Sequence, residues 1–265
     1  MFCLNYYPSQ SYLKDADEFK IKYRPADRTL EDFLKEYQEK SIVIDVTDSF
    51  DETDAKLFKG LYEKYKNFKL IVDYTNEEYF KRVKEQNIPF FFSNFATTID
   101  QVNGFLKYHP TDMYICEELG FNLHKVGKLL HDNNVRVRVF PNICQSSFPE
   151  TPSIKTFFIR PEDIPAYSAF VDVFEIVSDE ERQRVLFKIY KQEKWFGKIN
   201  EIIPTFKGDL DSRYIIENFG TIRSKCGKRC MYNPKTCNIC GRFMEMAKTL
   251  EENKIIVRKA KKAEQ

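Results

Sequence analysis

The stretch from Ile42 to Tyr74, IVIDVTDSFDETDAKLFKGLYEKYKNFKLIVDY, decides the fold. Its ends, Ile42–Thr47 and Leu70–Tyr74, are short apolar runs without strict alternation, which is typical of strands buried on both faces of a parallel sheet. Between them, Ala55–Tyr65 repeats apolar residues at helical spacing. The stretch therefore predicts two parallel strands joined by a helix in a right-handed crossover.

The same unit recurs along most of the chain from Glu18 onward. Eight apolar runs alternate with amphipathic stretches: Phe19–Tyr23, Ile42–Thr47, Leu70–Tyr74, Ile88–Ser93, Met113–Glu117, Val135–Phe140, Phe157–Arg160 and Val173–Val177. Eight parallel strands close a barrel, so we predict an α/β protein with a (β/α)8 TIM-like barrel and a small Cys-rich C-terminal appendage. A doubly wound open sheet is the alternative. The Phe2–Tyr7 run predicts an additional N-terminal strand that covers one end of the barrel.

Helix starts are marked by a hydroxyl three residues before a carboxylate or amide. This reciprocal capping pattern occurs at Thr75 with Glu78, at Thr98 with Gln101 and at Ser178 with Glu181. It predicts a helix N-terminus at each of the three places.

Charge separates the chain into parts. The net charge of +2 conceals −6 over residues 1–220, +6 over residues 221–243 and +2 over residues 244–265. We predict a barrel over residues 1–193 that includes the N-terminal strand, a Cys-rich metal-binding appendage over residues 194–250, and a charged, partly disordered tail over residues 251–265. The basic segment either attracts an anionic partner such as RNA or offsets the charge of clustered thiolates.

Several protein classes are disfavoured. There is no run of eighteen apolar residues and no charged-then-apolar leader, so we expect a soluble cytoplasmic protein without membrane association. No Gly-rich phosphate loop, Gly-x-Ser-x-Gly elbow or His-Glu-x-x-His pair is present, and the chain has only three histidines. These absences disfavour nucleotide-binding folds and conventional proteases.

Polar residues follow the predicted strands, where barrel enzymes assemble their active sites. The candidate catalytic residues are Asp73, Glu117, Asn142, Arg160 and Glu175. Carboxylates in a closed cleft suit acid and base chemistry, and arginine suits an anionic ligand. The alternative for each acid is a cap on the helix that follows it.

Four of the seven cysteines form Cys-x3-Cys-x6-Cys-x2-Cys at Cys226, Cys230, Cys237 and Cys240. Four closely spaced thiolates in a reducing compartment predict a metal site. The compact spacing favours a 4Fe–4S cluster over one structural zinc, although the ligand type does not separate the two. Cys144 is predicted to be either a further ligand or a reactive thiol, whereas Cys3 and Cys116 are predicted to be small core residues.

Three segments resemble the collagenase-like peptidase family U-thirty-two. They are MYICEELGFNLHKVGKLL at Met113–Leu130, VRVRVFPNICQSS at Val135–Ser147 and FFIRPEDIPAYSAFVDVFEIVSDEERQRVLFKIYKQ at Phe157–Gln192. Cys144 falls where the family places a cysteine, and Glu175 falls at the Glu of its Lys-Ile-Glu strand. The chain departs from the family in having Ile176 and Val177 in place of the usual Gly-Arg, and in having no second cysteine soon after Cys144.

The resemblance implies an iron–sulfur-bearing barrel. Members of this family include oxygen-independent hydroxylases of RNA bases or ubiquinone precursors, and proteins named peptidases. It therefore implies a cluster-dependent hydroxylase of RNA bases or aromatic rings, with RNA or a small anionic compound as substrate. Two alternatives remain: a peptidase or other hydrolase with Glu117 or Glu175 as general base, and a non-catalytic binding module with a structural zinc. The sequence does not indicate the oligomeric state.

Overall fold

The structure of the chain is a computed structural model. It describes residues 1–6, 15–24, 30–120, 122–143, 157–206, 209–217, 219–224 and 239–257. The candidate ligands Cys226, Cys230 and Cys237, together with Cys144, lie outside the described residues. So does most of the predicted tail.

In the part of the chain that the structure describes, nine parallel strands form a nearly closed barrel with helices between them, which confirms the predicted fold class. The strands are β1 (Phe2–Asn5), β2 (Glu18–Lys22), β3 (Ser41–Asp45), β4 (Phe68–Val72), β5 (Phe90–Phe92), β6 (Phe95–Ala96), β7 (Asp112–Ile115), β8 (Arg136–Val139) and β9 (Val173–Ile176). Their order is β5-β4-β3-β2-β1-β9-β8-β7-β6. Only Ser93 and Asn94 separate β5 from β6, so these two short strands occupy one position and the barrel has eight strand positions.

The helices follow the strands along the chain. They are α1 (Leu30–Glu36), α2 (Glu52–Lys64), α3 (Glu77–Glu85), α4 (Ile99–Leu106), α5 (Glu117–Gly120), α6 (Leu123–Asp132), α7 (Ile164–Tyr167), α8 (Glu180–Lys191), α9 (Ile199–Ile202), α10 (Phe219–Ser224) and α11 (Ile239–Glu252), with 3-10 helices at Pro161–Asp163 and Ser212–Tyr214. No helix in the described part of the chain is long and apolar enough to cross a membrane.

The N-terminal strand is part of the barrel wall, so the prediction that it covers one end is wrong. In β1, Cys3 pairs in parallel with Glu18 of β2, and on the other side Phe174 of β9 donates its backbone N–H to the Met1 carbonyl at 3.0 Å. Cys3 is fully buried, as predicted for a core residue, and Cys116 is buried as well. The first strand of the barrel is therefore β1.

The predicted strand at Phe157–Arg160 is absent, and β8 pairs directly with β9 through Arg138 and Val173. Phe157, Phe158 and Ile159 are buried, but apart from a single β-bridge at Phe157 this run forms no strand ladder. Ile159 donates its N–H to the Pro141 carbonyl at 3.3 Å and accepts a hydrogen bond from the Tyr190 hydroxyl at 3.0 Å. A short buried apolar run has the same composition whether or not it is a strand, which explains the error.

One of the three predicted helix caps is confirmed. Thr98 accepts a hydrogen bond from the Gln101 N–H at 3.3 Å and its own N–H donates to the Gln101 side chain, which starts α4. The other two helices begin one residue later than predicted, because Asn76 and Asp179 are the actual caps. Each offers a side-chain oxygen directly before the helix, which accepts a hydrogen bond from a backbone N–H of the first turn.

The chain divides into two compact units. The first contains Met1–Ile115, Leu130–Val139 and Asp172–Glu175, and it holds almost the whole sheet together with α1–α4. The second contains Cys116–Leu129, Phe140–Val171 and Ile176–Gln265. The predicted limits at residues 193 and 250 stay predictions.

Candidate functional site

Charged side chains occupy the interior of the barrel. We call the set the barrel network: Glu18, Lys20, Lys69, Asp112, Arg136, Arg138 and Glu175. Side chains alternate across a strand, so Glu18 and Lys20 of β2 share one face with each other, as do Arg136 and Arg138 of β8. Arg138 reaches Glu18 at 2.6 Å although two strands separate β8 from β2, so both side chains point into the barrel.

Arg138 is the centre of the network and is completely buried. Its Nη1 lies 2.6 Å from Glu18 Oε1 and 3.2 Å from Asp112 Oδ1, while Nη2 lies 3.0 Å from Glu175 Oε2. The guanidinium carbon stands 4.8 Å from the centre of the Phe91 ring. Burial disfavours the charged guanidinium, but the surrounding carboxylates outweigh it and raise the pKa of Arg138. Arg138 is therefore a permanent cation that joins three carboxylates.

Glu175 is fully buried and is held by three donors. Lys20 Nζ lies 3.1 Å from Oε1, and the Tyr114 hydroxyl donates to Oε2 at 2.6 Å beside Arg138. Burial favours the neutral acid, but Lys20 and Arg138 outweigh it and lower the pKa of Glu175. Glu175 in turn raises the pKa of Lys20 against the effect of burial. This geometry keeps Glu175 a carboxylate and Lys20 an ammonium, so Lys20 suits the binding of an anion better than nucleophilic attack.

Two carboxylates share cations at the amino end of the barrel. Lys69 lies 2.9 Å from Glu18 and 3.0 Å from Asp112, and Arg136 lies 3.1 Å and 2.7 Å from the same two acids. Burial opposes ionisation of Glu18, but Arg138 and Arg136 outweigh it and lower its pKa. Burial, with the negative charge of Glu18 added to it, raises the pKa of Asp112 to about 7. Asp112 is thus the member of the network that titrates near neutral pH.

A second, more exposed cluster lies at the carboxyl ends of β2 and β3. We call Lys22, Asp45, Thr47 and Asp48 the mouth cluster. Lys22 Nζ lies 2.8 Å from Asp48 and 3.8 Å from Asp45, with 41% of its side chain exposed. Asp45 Oδ1 accepts hydrogen bonds from the Thr47 N–H at 3.0 Å and the Thr47 hydroxyl at 2.6 Å. The cluster offers an oriented carboxylate and an accessible ammonium at the end of the barrel where enzymes of this fold work.

Asp73, a predicted catalytic residue, repeats this turn directly after β4. Its Oδ1 accepts hydrogen bonds from the Thr75 N–H at 2.8 Å and from the Thr75 hydroxyl at 2.7 Å. These two bonds lower the pKa of Asp73. The Asp-x-Thr sequence therefore builds the same pre-oriented carboxylate at the ends of two neighbouring strands.

Two other predicted residues have partners within the second unit. Arg160 is fully buried, with Nε and Nη2 lying 2.7 Å and 2.6 Å from the two carboxylate oxygens of Asp163, and it stacks 5.0 Å from the centre of the Phe219 ring. Asn142 bonds the backbone of Val177 twice, donating to its carbonyl at 2.7 Å and accepting from its N–H at 3.2 Å. The hydrogen bonds of Arg160 and Asn142 therefore give both side chains a structural role.

The remaining predictions rest on residues that the structure describes only in part. Glu117 begins α5, and its side chain lies outside the described residues. Cys240 is buried in the first turn of α11. Among the described residues, no group of three or more Cys, His, Asp or Glu side chains is placed to hold a metal ion. The four-cysteine metal site and the five catalytic residues stay predictions.

Of the barrel network, only Glu175 was predicted from the sequence. The clearest signal for the other members is the pattern of charges in two of the strands. In EFKIK of β2 and RVRV of β8, charges stand at alternate positions within short apolar strands. Glu18 is opposite in charge to Arg136 and Arg138, and both arginines pair with it inside the barrel. Lys22 and Asp45 likewise end two neighbouring strands in register.

No family model matches the chain. A protein of Methanocaldococcus jannaschii, named as an uncharacterized protease, is 32% identical over 103 residues that cover 36% of this chain. The match spans 29% of the length of that relative. A solved structure of a 4-hydroxy-2-oxoglutarate aldolase aligns with a TM-score of 0.42 at 12% identity, over 72% of this chain and 92% of the aldolase.

Proposed function

We propose that this chain is a barrel hydrolase that cleaves peptide bonds at the mouth cluster. The observation that carries the proposal is the accessible Lys22 ammonium beside the Asp45 and Asp48 carboxylates, at the carboxyl end of a nearly closed parallel barrel. The protease name of the M. jannaschii relative favours this reaction over others.

The chemistry follows from the three charged groups. A carboxylate of Asp45 or Asp48 takes a proton from water as the water oxygen bonds to the peptide carbon. The Lys22 ammonium stabilises the negative charge that develops on the carbonyl oxygen. The proton then passes to the leaving amine as the carbon–nitrogen bond breaks. Glu175 serves this site indirectly, because it fixes the ammonium of Lys20 two residues before Lys22 on the same face of β2.

The test is turnover of casein and gelatin by the purified chain and by variants. Lys22→Met and Asp45→Asn should each lower kcat by about 100-fold or more, because each removes a charge that stabilises the transition state. Glu52→Gln is the matched control, since Glu52 is an exposed acid on α2 that pairs only with Lys56 among the described residues. Unchanged turnover in both mouth variants would contradict the assignment of the site.

A second candidate is the cluster-dependent hydroxylase that the family resemblance implies, and the cysteine spacing favours the cluster that it would need. Cys226, Cys230, Cys237 and Cys240 would hold a 4Fe–4S cluster, which supplies electron transfer when bound. The only one of these thiols in the described part of the chain is Cys240, and the partly positive start of α11 suits a thiolate ligand there. The neighbouring basic residues would receive an anionic substrate such as RNA.

One measurement separates the candidates. The chain is purified anaerobically, and iron, acid-labile sulfide and zinc are quantified on the same sample. Iron and sulfide in equal amounts would support the hydroxylase. One zinc per chain without sulfide would remove it, and if casein turnover were also absent, the non-catalytic binding module would be the remaining interpretation.

A further inference from the structure

A cavity of about 490 Å3 opens at the amino end of the barrel, the end opposite the mouth cluster. The loops before β3 and β4 and the first residues of β7 and β8 line it. Its charged and hydroxyl groups include Lys40, Ser41, Lys66, Lys69, Asp112 and Arg136. The volume lies in the range of pockets that hold small ligands. The residues of the mouth cluster are not among those that line it.

The lining of this cavity is positively charged. Four bases line it, Lys40, Lys66, Lys69 and Arg136, against two acids, Glu39 and Asp112. The Lys66 ammonium stands 4.1 Å from the centre of the Tyr62 ring and forms no ion pair with a described residue. Nη2 of Arg136 binds carboxylates, whereas its Nη1 lies 3.6 Å from the Met1 sulfur. The positive charge of the lining therefore exceeds the negative charge of its carboxylates, and the excess is available to bind a ligand.

The depth of the bases differs in a way that suits a bound anion. Lys66 is exposed, the Arg136 side chain is 31% exposed and the Lys69 side chain is 9% exposed. The cavity is open to solvent, so an anion would meet the exposed Lys66 first and then the more deeply placed Arg136 and Lys69. Hydroxyl and amide groups of Ser41, Asn67 and Thr111 make the wall polar as well.

We propose that this cavity binds a small oxyanion, a carboxylate or phosphate-like group, through Lys66 and Arg136 at the rim and Lys69 at the floor. The site is separate from the proposed reaction, and it lies at the barrel end that in this fold usually contributes stability rather than catalysis. A ligand here stabilises the folded barrel by mass action.

Asp112 makes the binding depend on pH. Glu18, Lys69, Arg136 and Arg138 all face this carboxyl, and its pKa is raised to about 7. Below this pH Asp112 is neutral, so Lys69 and Arg136 have one carboxylate fewer to balance them. The oxyanion should therefore bind more tightly at about pH 6 than at about pH 8.

The experiment measures binding of sulfate and acetate to the full chain by calorimetry at about pH 6 and about pH 8. Sulfate represents phosphate-like groups, acetate represents carboxylates, and neither probe titrates in this interval. Choline chloride keeps the ionic strength constant, which separates site binding from screening. Lys66→Ala tests the rim, and Lys56→Ala is the matched control, because Lys56 is an exposed lysine outside the cavity.

We expect saturable binding of at least one probe, tighter at the lower pH, with an affinity about fivefold or more weaker in Lys66→Ala and unchanged in Lys56→Ala. Preference for sulfate or for acetate identifies the ligand class. Saturable binding of neither probe, or equal affinity in Lys66→Ala and Lys56→Ala, would overturn the proposal. Because both substituted lysines are exposed, loss of folding does not confuse the result.

Discussion

Nη2 of Arg138 lies 3.0 Å from Oε2 of Glu175, and both side chains are completely buried inside the barrel. An ion pair removed from water is costly unless good geometry and further hydrogen bonds compensate for the lost hydration. Here Arg138 also binds Glu18 and Asp112, and Glu175 also binds Lys20 and the Tyr114 hydroxyl. The barrel interior is therefore held by charge pairing where an apolar core is usual.

Removal of the central cation should be strongly destabilising. Arg138→Met leaves Glu18, Asp112 and Glu175 facing one another without the guanidinium, and we expect a loss of about 3–5 kcal/mol in the free energy of unfolding. Urea unfolding measures this loss in the free energy of unfolding. Lys56→Met, which breaks an exposed pair with Glu52, should cost less than about 0.5 kcal/mol. A loss below about 1 kcal/mol for Arg138→Met would show that the pair does not hold the interior.

Asp112 should make stability fall as the pH rises towards neutrality. Its pKa is raised from 3.8 to about 7, so between these values the folded chain holds a proton that the unfolded chain has lost. The side chain at this position is neutral at every pH in Asp112→Asn, so the variant lacks this contribution to the pH dependence of stability. From about pH 5 to about pH 8, the wild type should lose at least about 1 kcal/mol relative to the variant.

Urea unfolding of both proteins at the two pH values checks this difference. The lowered pKa values of Glu18 and Glu175 act in the opposite sense, because their contribution is lost only as the pH falls below about 4.5. Both acids are present in the wild type and in Asp112→Asn, so they cancel in the comparison. An equal pH dependence for the two proteins would contradict the assignment of the titration to Asp112.

Gly220 allows α10 to approach the turn that holds Arg160. A Cβ built at Gly220 would lie 2.6 Å from the Asp163 side chain, so Gly220→Ala must displace the carboxylate that binds Arg160. We expect a loss of about 1–3 kcal/mol in stability by chemical denaturation. Gly104→Ala is the control, because it lies in α4 with open space around it and should stabilise by about 0.5–1 kcal/mol. Similar effects at both positions would indicate that the close approach is unimportant.

The proposed metal site of the cysteine segment should depend on each of its four predicted thiolate ligands. We expect Cys237→Ser to weaken metal binding by at least about 100-fold and to lower the thermal midpoint, because metal binding and folding of such a segment are coupled. Metal analysis after dialysis and a thermal scan measure the two effects. Lys228→Ala removes a charge but no thiolate from the same segment, so it should keep its metal. Full metal content in Cys237→Ser would exclude Cys237 as a ligand.

Some strands of this molecule could be predicted from local sequence patterns, whereas the pairing between strands could not. The apolar runs at Ile42–Thr47 and Leu70–Tyr74 predicted strands that the structure confirms, because burial on both faces selects such residues. Phe157–Arg160 has a similar composition but does not form a strand of the barrel, and β1 supplies a strand between β9 and β2 instead. Pairing between strands far apart in sequence, such as β1 and β9, leaves no local mark, so the sequence predicted β1 as a strand but not its place in the barrel wall.

The sequence by itself determined the alternation of strands and helices, the parallel barrel, the Thr98 cap and the burial of Cys3 and Cys116. Each of these follows from short-range spacing or from the side chain's own hydrophobicity. Only the tertiary structure decided that Glu175 is the partner of Lys20 and Arg138, and that Lys22 meets Asp48 at the mouth. Which charges meet depends on how strands distant in sequence come together around the barrel, and closure of the sheet sets that arrangement.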